Sequence, residues 1–453
     1  MIRILNAYYP TRTLVLLLCE AVLIGGAFFA ATLVLVGPDS YIALVYQSGV
    51  LKIACICAFT LLLSYYFDLY EPQRISGGWE IHFRLLLVLS ALSFALATLL
   101  YLYPDIDLGP HVLVTGILLL AVLLLGWRSV YERIIGLPFF CERVYVLGNG
   151  ARADSIAHLL RSRRDLGMEV IAGQPAESAD PFTMDLRAFN TTRIGIDRII
   201  VALEDRRGSM PVQELLALRL RGVVIEESGT LLERLSGMLP LDGLNPSALI
   251  FTDGFNIRSS LQIGRRLFSI CISSVALAIC LPMFPFILLA VRLTSPGPIF
   301  FRQVRVGFRG KPFTIFKFRT MRQDAEAKGA VWATKNDPRI TPLGRFMRKT
   351  RLDEIPQLWN VLRGDMGFVG PRPERPEFVQ WLIKEIPYYN LRHIIRPGLT
   401  GWAQVRYQYG ASLEETRRKL EYDLYYIKHL SLGLDLLIMF ETVKTILLRR
   451  GAQ

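Results

Sequence analysis

The sequence predicts a membrane protein of three parts: four transmembrane helices, an α/β domain and a basic C-terminal region. Hydrophobic residues make up 52% of the 453 residues, more than an ordinary soluble enzyme contains. Strand-like and helix-like segments alternate in the middle of the chain, as they do in parallel α/β domains. Residues 258–453 hold 32 Lys and Arg against 15 Asp and Glu. Such a basic region indicates a polyanionic partner: a phosphorylated substrate, an anionic lipid or a nucleic acid.

Four apolar segments within residues 1–130 predict a four-helix transmembrane bundle, because each approaches the roughly 20 apolar residues that cross a bilayer. They are Leu14–Val36, Tyr41–Phe67, Leu85–Tyr103 and Leu108–Trp127. Glu20 lies in the first segment. An acidic residue inside a span is a candidate for function, although a position near the end of the span favours a structural role.

The positive charges of this region orient the bundle. Six arginines fall on one side of the membrane, and the two loops on the other side contain no Lys or Arg. These six are Arg3, Arg12, Arg74, Arg84, Arg128 and Arg133. The positive-inside rule therefore places the N-terminus, and everything after Arg128, in the cytoplasm.

A Rossmann-like α/β domain is predicted for residues 142–255. The expected strands are Arg143–Leu147, Arg198–Leu203 and Val223–Glu226, with helices near Ser155–Arg164 and Val212–Leu220. The turn Gly148-Asn149-Gly150 after the first strand is a degenerate dinucleotide fingerprint. It indicates either a bound nucleotide or a tight turn without a ligand. The second reading is favoured, since no acidic residue is well placed to hold a ribose.

A fifth apolar segment, Leu267–Val291, has the length of a span but is predicted not to cross. It contains 25 residues without a charge, yet Pro282 and Pro285 interrupt its middle and would kink a helix. Arginines precede it, and arginines and a lysine follow it, so both ends favour the cytoplasm. A helix that enters one leaflet, bends at proline and returns satisfies both observations. The alternative is a kinked span that places the C-terminal region outside.

Basic and Gly/Pro-rich motifs surround two adjacent carboxylates, Asp353 and Glu354, which follow Arg351. The motifs are Ser295–Gly307, Phe313–Met321, Asp337–Gly344, Arg351–Met366, Gly370–Glu374 and Arg396–Trp402. Adjacent carboxylates suit a hard divalent cation, such as Mg²⁺. The metal would neutralise phosphate oxygens and leave one carboxylate to attack phosphorus, while Arg and Lys hold the remaining phosphate charge.

These motifs resemble, in the same order, those of the bacterial sugar transferases of the monotopic phosphoglycosyl transferase type. The resemblance covers residues 262–453, about the last two-fifths of the chain. The whole architecture is similar to the long form of that family, which includes undecaprenyl-phosphate galactose and glucose phosphotransferases. It looks most like the members that start exopolysaccharide assembly, including those linked to exosortase systems.

The resemblance implies a mainly α catalytic domain that transfers a phosphosugar from a UDP-sugar to polyprenyl phosphate at the inner membrane. This is the first membrane step of exopolysaccharide, capsule or O-antigen synthesis. Asp353 corresponds to the nucleophile that forms a covalent aspartyl-phosphosugar and releases UMP, and Glu354 corresponds to the second residue of a Mg²⁺-dependent dyad. The proline break of the re-entrant helix, about 267–291, corresponds to Pro282.

Four basic residues are expected on the substrate phosphates by the same resemblance: Lys317, Arg319, Arg351 and Arg372. The α/β domain is expected to regulate or to assemble a homodimer, because it lies between the anchor and a complete catalytic region. No nucleic-acid partner is expected. The sugar stays open between glucose, galactose and N-acetylated hexoses.

Two other classes of protein fit the sequence less well. A membrane-anchored dehydratase or epimerase needs a full glycine fingerprint and a Tyr-x-x-x-Lys pair, and no tyrosine here has lysine four residues later. A non-enzymatic scaffold that binds anionic lipid or nucleic acid would leave the carboxylate pair unexplained. The sequence therefore favours the transferase.

Overall fold

The computed structural model describes most of the chain as two compact units. One unit comprises Met1–Ile2 and Tyr9–Leu231, and the other comprises Arg3–Tyr8 and Leu232–Gln453. The described residues are 1–71, 78–103, 109–135, 137–148, 150–171, 195–203, 210–241, 244, 246–251, 254–294, 296–322, 337–407 and 412–448. Arg74, Leu108, Asn149 and Ser295, named above, lie outside them.

The first unit contains four long apolar helices. They are α1 (Thr11–Val36), α2 (Gly49–Tyr66), α3 (Gly78–Leu102) and α4 (Pro110–Ile135). Helix α1 contacts α2 and α4, and α3 contacts the same two helices. Phe28, Leu92 and Leu120 are buried among them, whereas outward-facing Val22 and Phe94 are exposed. A helix that is apolar on all sides is typical of a membrane span.

Five helices in the described part of the chain are long and apolar enough to cross a membrane. Four are α1 to α4, and the fifth is the broken helix of Ser259–Thr294 in the second unit. The chain is therefore a membrane protein with mixed α and β content.

Glu20 forms a buried ion pair within the four helices. Its Oε1 lies 2.5 Å from Nε of Arg128, and its Oε2 accepts a 2.6 Å hydrogen bond from the hydroxyl of Tyr70. Arg128 also donates to the carbonyl of Leu69 at 3.0 Å. Because a buried charge needs a partner of opposite charge, Glu20 links α1 to α4 and has a structural role here.

Unit one also contains the parallel sheet that the alternating pattern predicts. Its strands are β3 (Glu142–Leu147), β4 (Met168–Val170), β5 (Arg198–Val201) and β6 (Val224–Glu227), in the order β4-β3-β5-β6. Two short strands at the N-terminus, β1 (Ile2–Ile4) and β2 (Ala7–Tyr9), form a separate pair, most of which belongs to the second unit. Helices α5 (Ala151–Ser162) and α6 (Val212–Leu220) accompany the sheet, and α7 (Ser228–Ser236) contains the boundary between the units, which falls after Leu231. Gly148 has φ +147°, and a Cβ there would lie 2.8 Å from the Ala202 backbone. Close strand packing therefore accounts for this glycine.

The second unit is mainly helical. Its helices are α8 (Pro246–Phe251), α9 (Ser259–Cys280), α10 (Phe284–Thr294), α11 (Pro342–Thr350), α12 (Gln357–Arg363), α13 (Pro376–Glu385), α14 (Trp402–Arg406), α15 (Leu413–Lys428) and α16 (Leu432–Leu447). Strands β7 (Phe300–Val306) and β8 (Pro312–Phe318) pair antiparallel. Strands β9 (Gly367–Val369) and β10 (Gly398–Thr400) pair in parallel.

The fifth apolar segment is broken at Pro282. A 3₁₀ turn, Leu281–Met283, separates α9 from α10, as expected where proline removes a backbone donor. Leu277 of α9 and Ile287 of α10 pack into one core with Leu358 of α12. Both halves of the broken helix are therefore parts of the same hydrophobic core.

The first turns of α9 are fixed to the second unit by two arginines. Arg265 forms an ion pair with Asp435 at 2.7 Å. Arg266 donates to the carbonyl of Leu362 at 2.7 Å and so caps the end of α12. Two of the basic residues that flank the segment in the sequence are therefore engaged inside the unit.

Residues 232–241, within the range predicted for the α/β domain, pack in the second unit. Trp402 donates its indole N–H to the carbonyl of Gly237 at 2.7 Å. Leu239 and Leu241 donate backbone N–H groups to the backbone and side chain of Glu421, both at 2.9 Å. By these contacts this stretch supports α14 and α15.

Candidate active site

Asp353 and Glu354 lie in a 3₁₀ turn, Leu352–Glu354, between α11 and α12. Arg351 ends α11 in the left-handed region, with φ +59°, and α12 begins after Pro356. The turn faces inward, and the two carboxylate residues are only 6% and 8% exposed. Adjacent buried carboxylates require strong compensation.

Three cations compensate Glu354. Its Oε1 lies 2.8 Å from Arg372, 2.9 Å from Lys317 and 3.7 Å from Arg351. Burial by itself would raise the pKa of Glu354, but Arg372, Lys317 and Arg351 outweigh it and hold the pKa well below its ordinary value. Glu354 is therefore an anion, and three cations predicted from the sequence meet at it.

Asp353 has a different environment. Its Oδ1 is buried and makes no hydrogen bond to any residue that the structure describes. Burial raises the pKa of Asp353, and the charge of Lys317 is the largest opposing effect. A desolvated carboxylate with an unengaged oxygen is a more reactive nucleophile than one surrounded by hydrogen-bond donors.

Arg348 is a further cation near the pair. Its charge acts on the pKa of Asp353, and its Nε donates to the hydroxyl of Thr320 at 3.0 Å. Sequence reasoning missed Arg348, because it lies between two of the motifs, close to Arg345 and Lys349, and nothing distinguishes it from these cations before the helix is placed.

Arg319 follows β8, the strand that carries Lys317. Its side chain is 8% exposed, and its backbone N–H donates to the carbonyl of Ile299 at 2.9 Å. Burial lowers the pKa of Arg319, and the charge of Arg292 adds to that effect. Its cationic charge keeps it a candidate for binding phosphate.

Asn360 sets the position of Lys317. The Asn360 side chain is fully buried in α12. It accepts from the backbone N–H of Phe316 at 3.1 Å and donates to the carbonyl of Thr314 at 2.7 Å. One amide thus joins β8 to the helix that follows the dyad, so that Lys317 reaches Glu354.

Arg372 is held by a second network. The buried side chain of Arg392 donates to the backbone carbonyl of Arg372 and to Asp423, both at 2.9 Å. Gly370 and Gly398 allow the supporting strands to approach, because a Cβ at Gly398 would lie 2.0 Å from the Gly370 nitrogen. No pattern in the sequence indicates this role of Arg392, which lies 20 residues from Arg372.

Asp353 and Glu354 are also the candidates for holding a divalent cation. No group of three or more His, Cys, Asp or Glu side chains suited to a metal occurs in the described residues. Mg²⁺ in phosphate chemistry is commonly held by one or two carboxylates together with substrate phosphates and water. The unengaged Oδ1 of Asp353 and the second oxygen of Glu354 fit that type of site.

A buried carboxylate pair among cations, beside a broken apolar helix, is chemically suited to binding phosphate groups. Comparisons with known proteins agree. The family model described as "Bacterial sugar transferase" matches residues 260–449. A UDP-glucose:undecaprenyl-phosphate glucose-1-phosphate transferase of Klebsiella pneumoniae is 33% identical over 404 residues, which are 83% of this chain and 84% of that relative. The chain therefore belongs to the bacterial sugar transferase family.

Two other relatives match over the C-terminal part. A UDP-N-acetylgalactosamine-undecaprenyl-phosphate N-acetylgalactosaminephosphotransferase of Aeromonas hydrophila is 49% identical over 183 residues, 40% of this chain and 43% of that relative. A UDP-glucose:undecaprenyl-phosphate glucose-1-phosphate transferase of Escherichia coli K12 is 43% identical over 181 residues, 40% of this chain and 39% of that relative. The chain thus matches less than half the length of these two relatives.

Proposed function

We propose that this protein transfers a phosphosugar from a UDP-sugar to undecaprenyl phosphate through a covalent intermediate on Asp353. The observation that carries the proposal is the asymmetry of the dyad: Asp353 Oδ1 has no hydrogen-bond partner among the described residues, whereas Glu354 is contacted by three cations. One carboxylate is left to react, and the other organises positive charge around it.

The proposed reaction has two displacements at the β-phosphorus. In the first, a carboxylate oxygen of Asp353 forms a bond to phosphorus, the bond to the bridging oxygen breaks, and UMP leaves with the electron pair. In the second, an oxygen of undecaprenyl phosphate attacks the same phosphorus and the aspartyl oxygen leaves, which gives an undecaprenyl diphosphosugar. Lys317, Arg351 and Arg372 stabilise the charge that develops on the phosphoryl oxygens.

Mg²⁺ is the proposed cofactor, held by Asp353 and Glu354. When bound, it would neutralise the diphosphate and assist the departure of UMP. Lys317 and Arg372 place positive charge at Glu354, so these side chains would attract a diphosphate even without a bound metal.

The broken helix is proposed to dip into the cytoplasmic leaflet of the inner membrane and return at Pro282. Its two halves share one core with elements of the second unit, which supports a catalytic region on one side of the membrane. A polyprenyl phosphate in that leaflet would then present its headgroup at the height of the dyad. The nucleotide sugar would arrive from the cytosol.

UMP release is the direct test of the reaction. Purified protein is mixed with undecaprenyl phosphate, Mg²⁺ and, in turn, UDP-glucose, UDP-galactose and N-acetylated UDP-hexoses. We expect UMP release with at least one donor, and radiolabelled phosphosugar retained on denatured protein at Asp353. Asp353→Asn should abolish both, whereas Glu385→Gln, on the exposed end of α13, should retain them. Normal turnover in folded Asp353→Asn would refute the mechanism.

Topology and assembly are tested separately. Single cysteines near Arg258 and Gly310, in a variant without the six native cysteines, should both resist a membrane-impermeant thiol reagent in intact cells. Labelling of the Gly310 site alone would mean that the segment crosses.

We also propose a homodimer, assembled with the help of the α/β region. A monomeric mass in detergent and in nanodiscs would contradict it.

A further inference from the structure

A cavity that is partly open to solvent lies in the second unit beside Arg372. Gly401, Gln404, Tyr407 and Lys419 line it together with Arg372. The cavity therefore combines an aromatic ring, an amide and two cations. Its wall also contains the carboxylate of Glu374, which lies 3.7 Å from Arg305.

Arg372 connects this cavity to the dyad. Its guanidinium contacts Glu354 at 2.8 Å, and its backbone carbonyl is fixed by Arg392. Arg392 and Asp423, which also line the cavity, neutralise each other in a 2.9 Å ion pair. A ligand whose phosphate lies at the dyad can thus extend past Arg372 into the cavity.

Gln404 supplies an unused hydrogen-bonding atom in the cavity wall. Its Oε1 is buried and has no hydrogen-bond partner within the residues that the structure describes. The backbone N–H of Gln404 bonds to Gly401 at 3.0 Å, so the first turn of α14 fixes where the side chain begins. A buried acceptor without a donor is unfavourable, and ligand binding is one reason to retain it.

We propose that the cavity binds the nucleobase of the donor, and that Oε1 of Gln404 accepts the N3–H of uracil. This inference rests on the proposed transferase function. Tyr407 forms an aromatic wall for the flat ring, while Arg372 and Lys419 face the diphosphate. Cytosine carries an acceptor at N3 and would oppose Oε1, so Gln404 is a specificity-determining residue for the uracil base.

Binding of UDP and of N3-methyl-UDP separates this hydrogen bond from the chemistry of the dyad. Wild type, Gln404→Ala, Gln404→Met and the exposed control Gln380→Ala are titrated with each nucleotide by calorimetry. We expect wild type and control to bind UDP about tenfold more tightly than its N3-methyl analogue, the size of one net hydrogen bond. Both Gln404 variants should lose about tenfold in UDP affinity and bind the two nucleotides equally.

Three outcomes would overturn the assignment. The first is equal binding of UDP and its methyl analogue by wild type, and the second is retained discrimination in the Gln404 variants. The third is a changed preference among UDP-sugars with unchanged discrimination at N3, since the amide would then bind a sugar hydroxyl.

UMP release by wild type in any of these cases leaves the proposed function intact. Failure to release UMP from every UDP-sugar would refute the function itself. Gln404→Met preserves side-chain volume, so a packing defect in Gln404→Ala does not decide the result.

Discussion

Neutralising the two dyad carboxylates should have different effects on stability, although we expect Asp353→Asn to abolish turnover and Glu354→Gln to impair it severely. Glu354→Gln leaves Lys317 and Arg372 without the anion that they contact at 2.9 and 2.8 Å. Asp353→Asn removes a charge that is buried and whose Oδ1 has no hydrogen-bond partner among the described residues. The first change removes a stabilising interaction, and the second removes an unfavourable buried charge.

The contacts set the size of the effect. A hydrogen bond to a charged group contributes about 1.5–3 kcal/mol, and two such bonds are lost from Glu354. Lys317 and Arg372 are 18% and 27% exposed, so water recovers part of that loss. We expect Glu354→Gln to lower the free energy of unfolding by roughly 2–4 kcal/mol. At about 2–4 °C per kcal/mol for a unit of this size, Tm should fall by roughly 4–16 °C.

Asp353→Asn should leave Tm unchanged or raise it. Burial raises the pKa of Asp353, so at neutral pH the folded protein holds this charge less favourably than the unfolded chain does. The pKa of Glu354 is shifted in the opposite direction. Its pKa is depressed, so its contribution is present above the unfolded pKa and is lost as the pH falls through the folded pKa.

Tryptophan fluorescence during heating in detergent at pH 7 measures these shifts, since Trp359 and Trp402 both lie in the second unit. Glu385→Gln serves as the control and should have the same Tm as wild type. A Glu354→Gln protein that melts like wild type would refute the stabilising cation cluster. An Asp353→Asn protein destabilised as much as Glu354→Gln would show that Asp353 is a paired structural charge.

Three further predictions test the supports of the site. Asn360→Ala should lower kcat at least tenfold, because Lys317 would be retained but shifted, and a 1 Å error in the position of a catalytic group is costly. Full activity in steady-state UMP release would exclude the positioning role. As the pH is lowered, kcat/KM should begin to decrease at a pH above the ordinary carboxylate pKa of about 4. The reason is that burial raises the pKa of Asp353, which must be ionised to attack. A decrease only at or below about pH 4 would contradict this. A protein truncated to begin at Leu232 should melt at higher temperature than one beginning at Asn256, since residues 232–241 hydrogen-bond to Glu421 and Trp402; equal melting would contradict this.

Local patterns predicted part of the fold, but not strand β4 or the strand pairs β7–β8 and β9–β10. Apolar length predicted the four N-terminal helices, and strand–helix alternation predicted the parallel sheet around β3 and β5. The packing of residues 232–241 in the second unit had no local signal, because it depends on hydrogen bonds to Glu421 and Trp402, about 165–180 residues away. Pairings of that separation are set by tertiary structure and not by periodicity.

The candidate site shows the same division. The cations that contact Glu354 were predicted because they lie in basic motifs that resemble a known family. Arg392 and Asn360 act through backbone groups of Arg372 and of β8, and a sequence does not show which backbone atom a side chain will reach. The buried, unengaged Oδ1 of Asp353 likewise depends on how α11 and α12 meet around the turn.

The proline break ties the membrane helix to the dyad, and Pro282→Ala tests that link. Without the break, Ser259–Thr294 would be one helix of 36 residues, about 54 Å at 1.5 Å per residue, far longer than the roughly 30 Å hydrocarbon core. Straightening would withdraw Ile287 from the core that it shares with Leu358, four residues beyond the dyad. Pro285 occupies the second position of α10, where no backbone donor is lost while the break is present, so Pro282 is the proline at the break itself. We therefore expect Pro282→Ala to reduce UMP release and to expose a cysteine near Gly310 to an external thiol reagent. Full activity with unchanged labelling would mean that core packing alone maintains the bend.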